Sequence, residues 1–349
     1  MTPAGQVERA MTPAGQVEQR VVKKPDGRRR SAARRGSTNP GEARLAWVLI
    51  TPTLLVLALV VGYPVVRAVY QSFLTDPGLD QATGLFTAGD TWFRLHNYTH
   101  WLLQRCTTPE GVYTACPSGT PGSQFWGSVG VTIGFTLVAC TLETMIGMVF
   151  ALMMHRAFRG RAMVRVTILI PWAIPTAVTS KLWQVMFDPQ GCVNKVLGTH
   201  YAWTSSLWPA RCAIVIADTW KTTPFIALLI LAGLQNIPEE TYEAAKIDGA
   251  SAWRRFTSVT LPLVKPALAV AVIFRALDTL RMYDLPKILT GGANGTTTSS
   301  ILVVDQLTRG ANSASALSTI TFVFIFVIAF GLVRLFNANI LGTHAKAVG

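Results

Sequence analysis

The amino-acid sequence predicts an all-α integral membrane protein with six transmembrane helices. Half of its 349 residues are hydrophobic and only 14% are charged. A soluble protein of this length needs more charged surface, so the composition favours the membrane class. Apolar runs of about twenty residues, each long enough to cross the hydrocarbon core of a bilayer, recur along the chain. Basic residues concentrate before and between these runs, as in multi-span membrane proteins.

The first apolar run, 45–66, holds 22 residues without a charge and predicts an uncleaved membrane span. A cleavable signal peptide would have a shorter apolar region followed by a small-residue cleavage site. Five further spans are predicted at about 125–154, 165–187, 211–235, 262–283 and 312–335. Together they form one six-span domain that extends over 45–340.

The basic residues predict the orientation of these spans. Segment 1–44 is basic, rich in Gly, Ser and Pro and poor in residues to bury. It predicts a disordered cytoplasmic tail that contacts membrane lipids through anionic headgroups. The net charge of +13 comes mainly from this tail and from short loops, so it indicates topology rather than nucleic-acid binding. The tail 341–349 is then also cytoplasmic, and 71–124 is the longest extracytoplasmic segment.

A polar loop, 236–262, lies between the fourth and fifth predicted spans. Pro238 suits the first turn of a helix, and the two acidic residues that follow it lie near the positive end of the helix dipole. Gly249 is a natural helix stop, and Ser251 can cap a second short helix. The loop therefore predicts two short cytoplasmic helices joined at a glycine, with small and acidic side chains available to another surface.

This loop resembles the EAA loop of ABC-importer permeases. The positions that match the family pattern are Glu243, Ala244, Ala245, Gly249, Leu261 and Pro262, with Val259 where the family usually has Ile. In that family the loop is the coupling helix, which docks into a groove on a cytoplasmic ATPase subunit. The alternative, an ordinary amphipathic connector between two membrane helices, does not account for six matches in one register.

Three more segments are similar to the carbohydrate branch of these permeases, which includes maltose, glycerol-phosphate and trehalose importers. They are 218–225, 231–240 and 277–292, and the similarity as a whole covers about 45–340. Within this branch, the tail and the six-span layout look most similar to the first permease subunit of trehalose importers.

The resemblance implies a set of partners in a bacterial cell membrane. This chain and a second permease subunit would form the pore, and an extracytoplasmic solute-binding protein, lipid-tethered or periplasmic, would deliver the sugar. Two copies of a cytoplasmic ATPase subunit would bind ATP and magnesium, so this chain would hold no cofactor and no catalytic residue. In agreement, the chain contains no G-x-x-x-x-G-K-[ST] phosphate-binding loop.

Charged residues also lie inside the predicted spans, where a charge at the centre costs on the order of 2.5–3.5 kcal/mol. They include Glu143 in the second span, Asp218 and Lys221 in the fourth, and Arg275, Asp278 and Arg281 in the fifth. These groups either neutralise one another and lock the helices together or line a polar path for a hydroxylated solute. We favour the structural interpretation for Glu143 and for Arg275 with Asp278, which could also pair with Arg281.

The predicted solute path consists of Trp220, Lys221, Thr222 and Asp278. Aromatic faces stack on sugar rings, and Thr hydroxyls can hydrogen-bond to sugar hydroxyls. Pro224 interrupts the helix where a solute could contact freed backbone groups. The alternative is plain helix packing, a role that Trp and Pro also serve.

Two cysteines predict a structural disulfide. Cys106 and Cys116 lie ten residues apart in the outer segment, on the oxidising side of the membrane. Cys192 and Cys212 flank the next outer loop and could form a second bridge. The sequence has no C-x-x-C pair or Cys/His cluster that indicates a metal site.

The sequence is less consistent with two other classes of function. An ion-coupled secondary transporter could use Glu143, Asp218 or Asp278 as a proton relay. Six spans without an internal inverted repeat count against it, and it leaves the 236–262 loop unexplained. A membrane enzyme is disfavoured because the chain has no H-E-x-x-H or G-x-S-x-G motif and no His inside a predicted span.

Overall fold

The computed structural model describes residues 40–79, 86–87, 93–107 and 112–347. The predicted tail over 1–44 lies almost wholly outside these ranges, as do parts of the outer segment 71–124. The described residues are mostly helical, as the sequence predicts.

The helices are α1 (Pro40–Leu57), α2 (Tyr63–Gln71), α3 (His96–Leu103), α4 (Pro121–His155), α5 (Arg161–Ala173), α6 (Thr176–Met186), α7 (Cys192–Leu197), α8 (Leu207–Gln235), α9 (Glu239–Ile247), α10 (Ala252–Arg255), α11 (Leu261–Leu280), α12 (Asp284–Thr290), α13 (Ser299–Leu307) and α14 (Ala311–Ala347). Short π-helical segments, Ala58–Gly62 and Phe256–Thr260, join α1 to α2 and α10 to α11. Two antiparallel strand pairs lie in the outer segment: β1 (Gly78–Leu79) with β2 (Phe86–Thr87), and β3 (Arg105–Thr107) with β4 (Tyr113–Ala115).

Five of the described helices are long and apolar enough to cross a membrane, and a bent pair would make a sixth. The five are Arg44–Gln71, Pro121–His155, Leu207–Gln235, Ala252–Leu280 and Ala311–Phe336. The predicted third span, 165–187, is instead the pair α5 and α6, which are bent by 95°. Pro175 explains the break, because the residue before a proline avoids the helical conformation and Ile174 is extended here.

The chain divides into two compact units, Met1–Leu59 and Val60–Gly349. In the first unit, the side chains described from Arg44 onward are exposed. In the second unit, the last helix continues to Ala347, so the predicted tail 341–349 is helical almost to its end.

The core of the second unit depends on small residues that bring α4, α8 and α11 together. A Cβ on Gly147 of α4 would lie 2.9 Å from Cγ2 of Ile226 on α8, and a Cβ on Gly233 would collide with Ala267 of α11. Ile226 is fully buried, with Val264 of α11 in the same apolar cluster. The close approach of these three helices positions the charged groups described next.

The outer segment is anchored to the N-terminal end of the last span, α14. Trp101 of α3 is fully buried, and its Nε1 donates to the carbonyl of Ser313 at 3.2 Å. Asp76 accepts hydrogen bonds from the amides of Asn312 and Ser313 at 2.7 and 2.8 Å. Because the first amides of a helix have no partner within it, Asp76 caps the N-terminal turn of α14.

Candidate functional site

Three carboxylates converge on one guanidinium where α4, α8 and α11 meet. Arg275 of α11 is only 2% exposed and forms ion pairs with Glu143 of α4 and Asp218 of α8. It also pairs with Asp278, one turn further along α11, through Nη1 and Oδ2 at 2.5 Å. Buried charges are stable only when they are paired and hydrogen-bonded, so this cluster joins the three helices.

Thr222 of α8 completes the hydrogen bonding of Glu143, which is fully buried. Thr222 Oγ1 donates to Glu143 Oε1 at 2.6 Å, and Arg275 Nη2 donates to the same oxygen at 3.0 Å. The other oxygen, Oε2, accepts from Arg275 Nε. This geometry agrees with the structural interpretation of Glu143, in which paired charges lock the helices together. Asp278 pairs with Arg275 rather than with Arg281.

A polar cavity of about 470 Å³ lies beside this cluster. Lys221, Thr222 and Asp278, three of the four residues of the predicted solute path, line it together. Asp278 is exposed there, while Lys221 and Thr222 are half-buried. Lys221 forms no ion pair within 4.0 Å with any described residue.

Trp220, the fourth residue of the predicted path, lies elsewhere. Successive residues of a helix differ in direction by about 100°, so Trp220 and Lys221 cannot share a face. Trp220 instead lines an apolar cavity of about 570 Å³ with Trp183 and Pro224. Its ring contacts that of Trp183 edge to face, with the centroids 5.8 Å apart. The structure therefore does not bring Trp220 together with the polar residues.

Two aromatic residues that the sequence analysis did not select line the polar cavity. Trp172 lies in the last turn of α5, just before the break, and Tyr283 follows α11. The Trp172 ring stacks on Phe225 with the centroids 5.9 Å apart and the planes inclined by 22°. Tyr283 lies in the segment 277–292 that resembles the carbohydrate branch, whereas no sequence signal indicated Trp172, which the structure places at the cavity just before the bend.

The 236–262 loop forms the two helices that the sequence predicts, α9 and α10. Gly249 adopts a φ of +74° between them, and Ser251 Oγ accepts a hydrogen bond from the Arg254 amide at 3.3 Å. Phe256 and Leu261 pack against the apolar cluster of the bundle, which holds the loop on the core.

The surface of this loop that faces away from the core is exposed and partly apolar. Glu243 and Ala244 are exposed and Ala245 is half-buried, while Pro262 is exposed in the first turn of α11. Two large apolar side chains of the loop are also exposed: Ile247 is 86% exposed and Trp253 73%. Exposed apolar groups rimmed by charge are typical of a surface that binds another protein.

In the outer segment, Cys106 Sγ and Cys116 Sγ are bonded at 2.05 Å and join β3 to the residue that follows β4. Cys192 and Cys212 are free and exposed, so the second bridge that the sequence allowed is not formed. His100 lies within 4.8 Å of both bonded sulfurs. Sulfurs in a disulfide are not thiolates, so this group does not offer a metal its usual Cys ligands.

Comparison with known proteins places the chain in a family. The sequence profile of "binding-protein-dependent transport system inner membrane component" matches residues 143–342. The trehalose transport system permease protein SugA of Mycobacterium tuberculosis is 38% identical over 308 residues, which cover 87% of this chain and 92% of the relative. The trehalose/maltose transport system permease protein MalF of Thermococcus litoralis is 38% identical over 302 residues, 84% of this chain and 93% of the relative.

The fold also matches a solved structure, that of a bacterial ABC transporter involved in the import of the acidic polysaccharide alginate. The TM-score is 0.65 at 18% identity, and the match covers 85% of this chain and 96% of the other. At that identity the likeness concerns the fold alone. From the profile and the two relatives, the chain belongs to the permease family of binding-protein-dependent ABC importers, whose members are transport components and not enzymes.

Proposed function

We propose that this chain is a translocation subunit of an ATP-driven importer of a sugar, a disaccharide such as trehalose. Two relatives named for trehalose transport are each 38% identical over nearly the full chain. The observation that carries the proposal is the polar cavity, where Lys221 and Asp278 lie beside the aromatic ring of Trp172. A sugar needs both donors and acceptors for its hydroxyls and a flat apolar surface for its ring.

The proposed assembly follows the family. A second permease subunit completes the pore, and two copies of an ATPase subunit bind ATP and magnesium on the cytoplasmic side. A solute-binding protein delivers the sugar from outside, an arrangement supported by the alginate transporter solved with its periplasmic protein. In this assembly both termini and the 236–262 loop are cytoplasmic.

Coupling to the ATPase is assigned to the exposed face of α9 and α10. Glu243, Ala244 and Ala245 occupy the positions of the family motif, and Ile247 and Trp253 add apolar area that no described residue covers. Leu261 and Pro262 are the first residues of α11, and Leu261 packs on the core, so that a movement of the ATPase can be transmitted to the span that carries Arg275.

Transport by the assembled complex in proteoliposomes tests this proposal. We expect labelled trehalose to accumulate in the compartment that the ATPase subunits face when that compartment contains ATP and magnesium. This accumulation should not require an ion gradient. A protonophore should leave uptake unchanged. Uptake that follows a proton or sodium gradient and ignores ATP would support the ion-coupled alternative and contradict the proposal.

A further inference from the structure

We propose that the short loop between α4 and α5, together with the groove beside it, binds an anionic phospholipid. The chain has no acidic residue between Glu143 and Asp188. The basic residues in that interval are Arg156, Arg159, Arg161, Arg165 and Lys181. Three of them fall within six positions at the junction of two apolar helices, which makes this a site of concentrated positive charge.

The groove next to the loop has a volume of about 380 Å³ and is lined by α4, the loop and α5. Its walls include Phe150, Met153, Phe158 and Met163, and Arg159 is its only charged lining residue. Met163 is 78% exposed although it is apolar. An apolar groove with one guanidinium among its lining residues matches a lipid, whose acyl chain is apolar and whose headgroup carries the charge.

The three arginines of the loop are available for a headgroup. Arg156, Arg159 and Arg161 are exposed, and none forms an ion pair with a described residue. Arg161 is the first residue of α5, so the positive end of the helix dipole adds to the attraction for a phosphate. Gly160, with a φ of +88°, allows the sharp turn that places the arginines on both sides of it.

Arg165 has a different role, because it positions the loop. Its Nη2 donates to the carbonyl of Met154 at 2.7 Å, at the C-terminal end of α4. The hydrogen bond satisfies a carbonyl that has no partner within the helix and ties α5 to α4. This contact joins the two helices that line the groove.

A phospholipid is favoured over a protein partner because of where the groove lies. It is lined by the C-terminal end of α4, which is long and apolar enough to cross a membrane, and by the start of α5, which meets that test together with α6. In the bilayer, the end of such a span would lie where headgroups meet acyl chains. Arginines at such ends extend toward the interface, and basic clusters there attract anionic lipids. The inference does not depend on the sugar proposal, since lipid binding needs neither a substrate nor ATP.

Native mass spectrometry of the full chain, purified in detergent, tests the site. The protein is incubated with equal amounts of phosphatidylglycerol and phosphatidylcholine, and the bound lipids are counted. We expect a preference for phosphatidylglycerol that falls at least about tenfold in Arg156→Gln/Arg159→Gln/Arg161→Gln, because each basic residue near an anionic surface contributes roughly fivefold. Met163→Asp, a change at an exposed position, should lower phosphatidylglycerol binding as well.

The matched control removes three charges elsewhere, in Arg67→Gln/Lys195→Gln/Arg309→Gln, all of which are exposed. This variant should retain the preference for phosphatidylglycerol. Equal retention of the two lipids by the wild type, or unchanged retention by both the loop triple variant and Met163→Asp, would overturn the proposal. The proposal would also be overturned if the loop variant lost a protein subunit that co-purifies with the wild type while its lipid binding stayed unchanged. The surface would then be a protein interface.

Discussion

Arg275 Nη2 donates to Glu143 Oε1 at 3.0 Å, although the two residues lie 132 positions apart on different helices. The same guanidinium also pairs with Asp218 and with Asp278. One side chain thus satisfies carboxylates from α4, α8 and α11, next to the cavity that we assign to the sugar. Arg275, Asp218 and Asp278 also line that cavity, so the charges that join the helices contribute to its polar wall.

Replacement of Arg275 by Met should severely destabilise the protein. It would leave Glu143 and Asp218 buried without a cation, and breaking a buried ion pair costs about 3–5 kcal/mol. We expect a large loss of thermal stability in detergent, measured by thiol-reactive dye or by retained monodisperse protein. Arg281→Met, an exposed charge outside the cluster, is the control and should unfold near the wild-type temperature. Equal stability of Arg275→Met and Arg281→Met would show that the cluster does not hold the bundle.

The two tryptophans near the cavities should differ in their effect on transport. Trp172→Ala should weaken apparent affinity for the sugar by roughly two- to tenfold, as expected for the loss of about 0.5–1.5 kcal/mol of ring stacking. Trp220→Ala should affect uptake less, because Trp220 lies in the apolar cavity. Because the sequence predicts Trp220 on the solute path, initial-rate uptake at several sugar concentrations decides between the two tryptophans. A stronger effect of Trp220→Ala would favour the path first predicted.

Gly249→Val should stop transport by weakening the docking of the ATPase subunit. A Cβ on Gly249 would meet no heavy atom within 4 Å, so the effect arises from the positive φ and not from a collision. Such backbone strain costs on the order of 1–3 kcal/mol and should distort the junction of α9 and α10. Gly198→Val introduces the same kind of strain, at φ +65° in open space, far along the chain from the loop. ATPase binding and uptake should fail in the first variant and persist in the second.

The orientation of the chain can be tested by thiol labelling in intact cells. Cys192 and Cys212 are exposed and must first be changed to Ser. A cysteine at Thr87 or Ala293 should then react with an impermeant reagent, and one at Ala162 should react only after the cells are opened. Labelling of the Ala162 position in intact cells would reverse the predicted orientation of α5.

The outer segment should become less stable in acid because of His100. Burial lowers the pKa of His100 below its ordinary value of 6.5, although a hydrogen bond to the Arg105 carbonyl opposes this. The unfolded segment therefore takes up a proton more readily, and stability falls as the pH drops below about 6.5. Hydrogen exchange in 93–107 should accelerate between pH 7.5 and 5.5 after correction for intrinsic rates. In His100→Gln, with His96 retained, that additional acceleration should disappear; its persistence would assign the effect to another group.

Local sequence determined the elements of this protein. Apolar runs of sufficient length predict the spans, and Pro238, Gly249 and Ser251 predict the helix–glycine–helix loop because each acts on its own backbone. Six matches in one register, from Glu243 to Pro262, were enough to indicate the family, since the motif is carried by one short stretch. Cys106 and Cys116 lie close enough in sequence for their bridge to be predicted as well.

The tertiary structure alone decided which charges are paired and which face the cavity. Spacing along α11 left Asp278 a choice between Arg275 and Arg281, and nothing local indicated that Asp218 would share the Arg275 guanidinium. Likewise, Pro175 explains the break after Ile174 locally, but it does not indicate that Trp172 lines the polar cavity. These outcomes depend on how α4, α8 and α11 approach one another and on the direction of each side chain around its helix. Both are set by packing between residues far apart in the chain, which periodicity along one helix does not encode.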